Sequence, residues 1–281
     1  MIKIVADTTC GVPIEELKAK GIAVIPQVIT FGNTSYHDDY ELTTDKFLEL
    51  LAASKELPGT AAPAPSLYNP HYEAAQANGD SVLVITPSSD LSGTFRSATV
   101  SAADYPDVSI HVVDTRTIAG GLGTLVLLAK QWADEGLPME TIKQRVVEKA
   151  KTCRVFFLVA TLEYLHKGGR IGNASKLVGG LLQIKPILCL KDGKVEPYDK
   201  VRTYKQALLT IEELNNKLLE NNSEGYLSIS ECGADEDAKT LADSFKARFN
   251  LTEVPIYRVP PAIVVHAGPG VLATSVFVKP D

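Results

Sequence analysis

The segment Ser81–Thr86 carries four consecutive aliphatic residues, Val82-Leu83-Val84-Ile85, in a run too short for a helix and flanked by helix-like sequence. A strand apolar on both faces needs cover on both faces, and a parallel sheet with helices packed above and below supplies it. The rest of the first half repeats this alternation. Ile2–Ala6 reads as a strand, followed by a helix opening at Pro13 and closed by Gly21, with proline at the start and glycine past the end. Ile22–Phe31 is expected as the next strand, Thr44–Ala53 as a helix capped by Thr43 or Thr44, and a further helix runs to about Asn78. Helix Ser92–Asp104, strand Val108–Val113, and helices Leu122–Gly136 and Met139–Ala150 follow. Such alternation predicts an α/β unit built on a parallel sheet.

The pattern changes near Lys151. After the apolar strand Val155–Ala160 comes a hairpin signal, Ile187–Leu190 and Val195 flanking Asp192-Gly193, the dipeptide suited to a two-residue turn. A long amphipathic helix, Tyr204–Asn221, is followed by strand Gly225–Ser230 and helix Asp235–Phe249. Three closely spaced strands, Val254–Val259, Ala262–His266 and Leu272–Val278, are expected to finish the chain. At 281 residues two lobes are the natural expectation: 1–151 as a parallel-sheet α/β domain and 152–281 as an α+β domain with a mixed or antiparallel sheet.

Charge and cysteine usage exclude several functions. A net charge of −6 argues against nucleic-acid or anionic-membrane partners. Cys10, Cys153, Cys189 and Cys232 are scattered without a C-x-x-C pair, as expected of free thiols and not of a metal site or disulfide framework. The opening Met1–Asp7 reads as a strand and not as a secretory leader, and no apolar run is long enough to span a bilayer. The expected location is the cytoplasm.

Four polar stations stand at strand ends or in Gly/Pro-rich loops, where ligands of α/β sheets gather. Thr60 lies in Pro58-Gly59-Thr60-Ala61-Ala62-Pro63, which taken alone fits a solvated turn. Ser92 lies in Ser88-Ser89-Asp90-Leu91-Ser92-Gly93-Thr94, where an anion site at a helix start and plain capping by Ser92 or Asp90 both remain open. Arg170 sits among three glycines in His166-Lys167-Gly168-Gly169-Arg170-Ile171-Gly172, which allow close approach to a guanidinium able to grip a carboxylate. His266 precedes Ala267-Gly268-Pro269-Gly270 at the end of an expected strand, as a structural residue or as a donor to an anion. Gly120-Gly121-Leu122-Gly123 fits tight helix packing as well as phosphate binding, and His37-Asp38-Asp39 is expected to be an exposed polar turn. Neither a Walker loop nor a G-x-S-x-G elbow can be placed. The set suits one carboxylate, held and not transformed.

These residues resemble the DegV family of bacterial fatty-acid-binding proteins over essentially the whole chain. The resemblance is carried by Ile4-Val5-Ala6-Asp7-Thr8-Thr9, by Leu91-Ser92-Gly93-Thr94, and by Thr161–Gly172 continuing through Gly180-Leu181-Leu182-Gln183-Ile184-Lys185-Pro186. Lys200-Val201-Arg202-Thr203 and His266-Ala267-Gly268-Pro269-Gly270 complete it. It implies a carrier, with no cofactor or metal, that holds a long-chain fatty acid such as palmitate between its two domains. The carboxylate would meet Thr60, Ser92, Arg170 and His266. It also implies a fatty-acid kinase partner in phospholipid metabolism, which phosphorylates the bound acid; Arg202 and Lys200, which follow the expected hairpin, form a basic pair that fits a docking surface for that kinase or a solvated strand end. Two departures stand out. Ala61 and Ala62 replace the family's Ser-Gln beside Thr60, and Tyr204 stands where a basic residue is common. Apolar stretches at Leu158–Leu165 and Val178–Leu190 are candidates for the tunnel wall and equally for plain core. The rival reading is an enzyme in its own right, a hydrolase or phosphotransferase using Ser92 and His266.

Overall fold

The computed structural model describes residues 1–177, 184–220 and 225–279. Two compact units divide the chain: Met1–Lys151 with Pro260–Ala262, and Thr152–Val259 with Ile263–Asp281.

Along the first unit run β1 (Ile2–Asp7), a 3₁₀ turn (Thr8–Cys10), α1 (Ile14–Ala19), β2 (Ala23–Ile25), β3 (Val28–Phe31) and β4 (Thr34–His37). Then come α2 (Thr44–Ala53), β5 (Gly59–Ala61), α3 (Asn69–Asn78), β6 (Ser81–Thr86), α4 (Thr94–Ala102), β7 (Ile110–Asp114), α5 (Ala119–Asp134) and α6 (Met139–Lys151). The main sheet has the order β2-β1-β6-β7 with every pair parallel. Val82 and Val84 pack with Val5, Tyr68, Tyr72 and Ala98, while Leu83 and Ile85 are fully buried as well, so both faces of β6 are covered.

Three details of the first unit's strands and loops before β6 differ from the sequence expectation. Ile22–Phe31 is two strands, interrupted at Pro26 and Gln27, because proline cannot donate to a ladder. The second of them, β3, pairs antiparallel with β4 and β5 in a small separate sheet. The supposed loop around Thr60 therefore contains a strand, and Thr60 pairs with Ile29. The third difference is Asp38, which is completely buried instead of lying in an exposed turn. Its carboxylate accepts from Thr8 Oγ1 at 2.6 Å and from the Ala262 backbone N–H at 3.1 Å, which offsets the loss of water. Gly123 in α5 serves packing, since a Cβ there would lie 2.7 Å from the Cys10 carbonyl oxygen.

The second unit contains β8 (Cys153–Leu158), α7 (Glu163–Lys167), a 3₁₀ turn (Gly172–Leu177), β9 (Lys185–Lys191), β10 (Lys194–Val201), α8 (Tyr204–Glu220) and β11 (Leu227–Cys232). It ends with α9 (Asp235–Phe249), β12 (Ile256–Arg258), α10 (Pro261–Ala267) and β13 (Val271–Phe277). Its sheet has the order β10-β9-β8-β13-β11-β12, antiparallel except for β11–β12, so the sheet is mixed. The β9–β10 turn has Asp192 at φ 50° and Gly193 at φ 78°, the left-handed pair that the Asp-Gly signal implies. Leu158 belongs to the core beneath α8, with Phe156, Ile187, Ala207 and Ile211. Residues 178–183, which hold much of the other candidate tunnel stretch and part of the family-like motif, lie outside the described residues.

Ala262–His266 is a correction: it is helical, not a strand. The run Ile263-Val264-Val265 has strand-forming residues, but its punctuation is that of a helix. Pro261 opens it and Gly268 closes it at φ 79°, donating its N–H to the Val264 carbonyl at 2.8 Å. Among the described residues no helix is long and apolar enough to cross a membrane.

Candidate functional site

The first cluster grows from the strand order of the parallel sheet. The chain leaves β1 toward β2 on one side, while β6 lies on the other, so β1 and β6 flank the point where the winding reverses. Loops at the carboxyl ends of such strands diverge and leave a crevice. Asp7 ends β1 there, and Ser88–Gly93 follow β6.

Asp7 is fully buried, and its two oxygens accept four hydrogen bonds. Oδ1 receives the backbone N–H of Thr9 at 3.0 Å and the Thr9 hydroxyl at 2.5 Å. Oδ2 receives Gln27 Nε2 at 2.5 Å and the Thr94 hydroxyl at 2.9 Å. Burial raises the carboxyl's proton affinity, and the four donors oppose that rise. Thr94, the first residue of α4, lies 2.9 Å from Ser92 Oγ and 2.8 Å from Gln27 Nε2.

Ser92 is half-buried at the end of a tight turn in which the N–H groups of Leu91 and Ser92 both donate to the Ser88 carbonyl. It does not cap α4. Gly93 occupies the cap position, and the Ser92 hydroxyl accepts from Thr94 N–H at 3.3 Å. A Cβ on Gly93 would stand 3.2 Å from the Ala62 Cβ, so the loop after Thr60 and the loop carrying Ser92 are direct neighbours. The segment that carries Thr60 thus borders the loop that carries Ser92 within the first unit.

The second cluster joins Arg170 to His266. Arg170 follows the short helix α7, and its Nη1 donates to the Gly168 carbonyl at 2.8 Å. His266 is in the last turn of α10, and its ring lies against Gly168: a Cβ there would come within 2.3 Å of His266 Nδ1. Gly168 is therefore glycine because an imidazole occupies the space of its side chain. Gly268 plays the same part for the Tyr164 ring, 2.4 Å from where its Cβ would be. Burial lowers the His266 pKa to about 4, and the Arg170 charge adds to the shift. At neutral pH the pair presents one fixed cation beside one neutral imidazole. Lys200 lies in β10 and Arg202 just beyond it, both exposed. Tyr204 donates its hydroxyl to Asp237 at 2.9 Å.

The chain is similar from end to end to known proteins. A family model described as "Uncharacterised protein, DegV family" matches residues 1–279. The chain belongs to the DegV family. A DegV domain-containing protein of Halalkalibacterium halodurans is 31% identical over 279 residues, covering 99% of each chain. A DegV family protein from Thermus thermophilus, whose structure is described as showing fatty-acid binding, superposes with a TM-score of 0.91 at 29% identity and 99% coverage of both chains. DegV from Bacillus subtilis, described as a fatty-acid-binding protein, gives a TM-score of 0.87 at 28% identity, again over 99% of both chains.

Sequence reasoning singled out Thr60, Ser92, Arg170 and His266; the first two lie on neighbouring segments of the first unit and the last two both meet Gly168 in the second. It missed Gln27 and Thr94 as polar partners, and it took Asp7 only as part of a strand-ending pattern. The Asp7-Thr8-Thr9 run was a usable signal, since Asp7 caps the 3₁₀ turn. Gln27 offered none. Among the described residues no group of three or more His, Cys, Asp or Glu side chains could hold a metal ion.

The lowered His266 pKa has a consequence for stability. Between about 6.5 and about 4 the unfolded chain binds a proton at His266 that the folded chain does not, so this group favours folding above that window and ceases to do so as pH falls through it. His266 should titrate near about 4 by NMR, and Arg170→Ala should move its midpoint upward. A midpoint unchanged from that of an exposed histidine would contradict the packing against Gly168.

Proposed function

We propose that this protein binds a long-chain fatty acid, of which palmitate is an example, and carries it without transforming it. The whole-chain likeness to the fatty-acid-binding DegV proteins of Thermus thermophilus and Bacillus subtilis carries this reading. On it, the carboxylate is assigned to Thr60 and Ser92 of the first unit and to Arg170 and His266 of the second. Arg170 supplies the permanent charge, His266 a neutral N–H, and the two hydroxyls further hydrogen bonds. Affinity would come mostly from the tail. At about 0.8 kcal/mol per buried methylene, a chain of about fourteen gains on the order of 11 kcal/mol before ordering costs.

The reading extends to a partner. The bound acid would be presented in the cytoplasm to a fatty-acid kinase, which docks on the basic pair Lys200 and Arg202. The exposure of both side chains supports this, as does the acidic character of a net −6 chain, on which a local basic pair stands out. The rival enzyme reading has less support. The Ser92 hydroxyl is engaged with Thr94 and Gln27, and an imidazole with a pKa of about 4 is a weak general base.

Delipidated protein should melt at a higher temperature when a saturating long-chain acid is added, because a ligand that binds only the folded state stabilises it. No shift with any acid from about twelve to about twenty carbons would sink the carrier reading. Arg170→Ala should weaken binding of the ionised acid, and more at about pH 8 than at about pH 5, since a protonated head group needs no counter-charge. Equal affinity of mutant and wild type at the higher pH would remove Arg170 from the carboxylate site. Arg202→Ala should leave fatty-acid binding intact and slow acyl-phosphate formation with a cognate kinase. Unchanged turnover would exclude Arg202 from the docking surface.

A further inference from the structure

The hydrogen bonds around Ser92 have a direction that can be deduced by counting protons. A threonine hydroxyl has one hydrogen and two lone pairs. Thr94 gives its single hydrogen to Asp7 Oδ2 at 2.9 Å, so in its 2.9 Å contact with Ser92 it can only accept. Ser92 must therefore be the donor, and its oxygen accepts from Thr94 N–H. Gln27 Nε2 reinforces this polarity by donating to Asp7 at 2.5 Å and to Thr94 at 2.8 Å. With Asp7 ionised, Ser92 has spent its only hydrogen and is left with lone pairs alone, one taken by the Thr94 N–H and the other facing Gln27 Nε2 at 3.5 Å. A carboxylate also offers only lone pairs. The two do not match.

We infer that Asp7 is a positioning residue that takes up one proton when Ser92 engages a carboxylate, through a relay running Ser92–Thr94–Asp7. The inference rests on the proposed reading that Ser92 meets the ligand's carboxylate. A proton arriving at the Ser92 lone pair that faces Gln27 Nε2 at 3.5 Å, from water or from the ligand's own carboxylic acid, pushes the serine hydrogen onto Thr94 and the threonine hydrogen onto Asp7. Each hydroxyl oxygen gains one O–H bond and loses one, and the net product is a neutral Asp7 carboxylic acid. Every hydrogen bond in the relay then reverses. Asp7 donates to Thr94, Thr94 donates to Ser92, and Ser92 donates to the ligand. Gln27 keeps both of its bonds, because a protonated carboxyl oxygen still accepts.

The surroundings of Asp7 favour its neutral form. The titratable groups whose charges couple to it are Cys10 in the 3₁₀ turn, Tyr68 beside α3 and Asp38 just after β4, and Asp39 acts in turn on Asp38 and Cys10. All four are acids. Asp38 and Asp39 are the rival proton acceptors, since burial raises both and Asp39 reaches about 6. Neither is joined to Ser92 by the Thr94 relay: Asp38 is bonded to Thr8 and to the Ala262 N–H. The relay therefore predicts a specific pattern among variants.

The test is calorimetric titration of the delipidated full chain with dodecanoate and with dodecanesulfonate, at about pH 7, in buffers of different ionisation enthalpy. The sulfonate stays ionised throughout, so any proton taken up with it resides on the protein. Wild type should take up close to one proton with either ligand, and its affinity should fall up to about tenfold per pH unit across the coupled range. Asp7→Asn should bind both ligands without proton uptake and with a flat pH profile, because its amide can donate to Thr94 once Gln27 turns its own amide so that Oε1 accepts from the new Nδ2. Thr94→Val should also abolish uptake by cutting the relay, whatever the folding of the first variant. Asp38→Asn and Asp39→Asn should retain it. Binding by wild type without uptake, uptake with dodecanoate alone, or uptake that survives in Thr94→Val would each overturn the inference while leaving the carrier reading intact. Failure of wild type to bind either amphiphile would overturn the carrier reading and the relay with it.

Discussion

Four donors converge on the buried Asp7 carboxylate, and the polar architecture of the first unit depends on that convergence. A charge taken out of water without partners would cost far more than a domain's net stability can absorb. Here the oxygens of one side chain tie together the end of β1, the 3₁₀ turn after it, the break between β2 and β3, and the first residue of α4. These are the segments that border the reversal of strand order. The same interaction that makes burial tolerable also fixes where Ser92 and Thr94 stand. Structure and chemistry share one set of hydrogen bonds, which explains why so many polar side chains lie buried in a single corner of the sheet.

The second unit solves a different problem, that of bringing a cation and an imidazole together with little backbone between them. It does so by deletion of side chains. Gly168 has no Cβ where the His266 ring lies, and its carbonyl accepts from Arg170, so one residue positions both partners. Gly268 closes α10 in a left-handed conformation and makes room for Tyr164. Any other residue at either place would displace a ring or strain the backbone. The cationic neighbour and the loss of water both act against protonation of His266, which leaves a neutral donor beside a fixed positive charge.

Much of this was legible in the amino-acid sequence, because it rests on local rules. The apolar run Val82–Ile85 announced a doubly covered parallel strand, and Asp192-Gly193 announced the hairpin, since both follow from steric and solvation demands of a few adjacent residues. The glycine setting of Arg170 followed in the same way, with the Gly168 carbonyl beside its guanidinium, and so did the free cysteines. Local rules also misled. The β-branched run Ile263-Val264-Val265 suggested a strand, while Pro261 and Gly268 enforced a helix, so His266 is presented from a helical turn.

What only the tertiary structure decided are the pairings across long separations in the chain. Asp7 and Thr94 are 87 positions apart, Thr8 and Asp38 are 30, and Asp38 reaches the backbone of Ala262 across 224. No periodicity or composition encodes such meetings. Gln27 carries no motif at all and gains its role only because Pro26 ends β2 and turns its amide toward Asp7 and Thr94. The residue types able to hold a carboxylate were set by the sequence. The direction in which their hydrogens point was set by the fold, because a hydroxyl's single hydrogen goes to whichever acceptor the packing brings within reach.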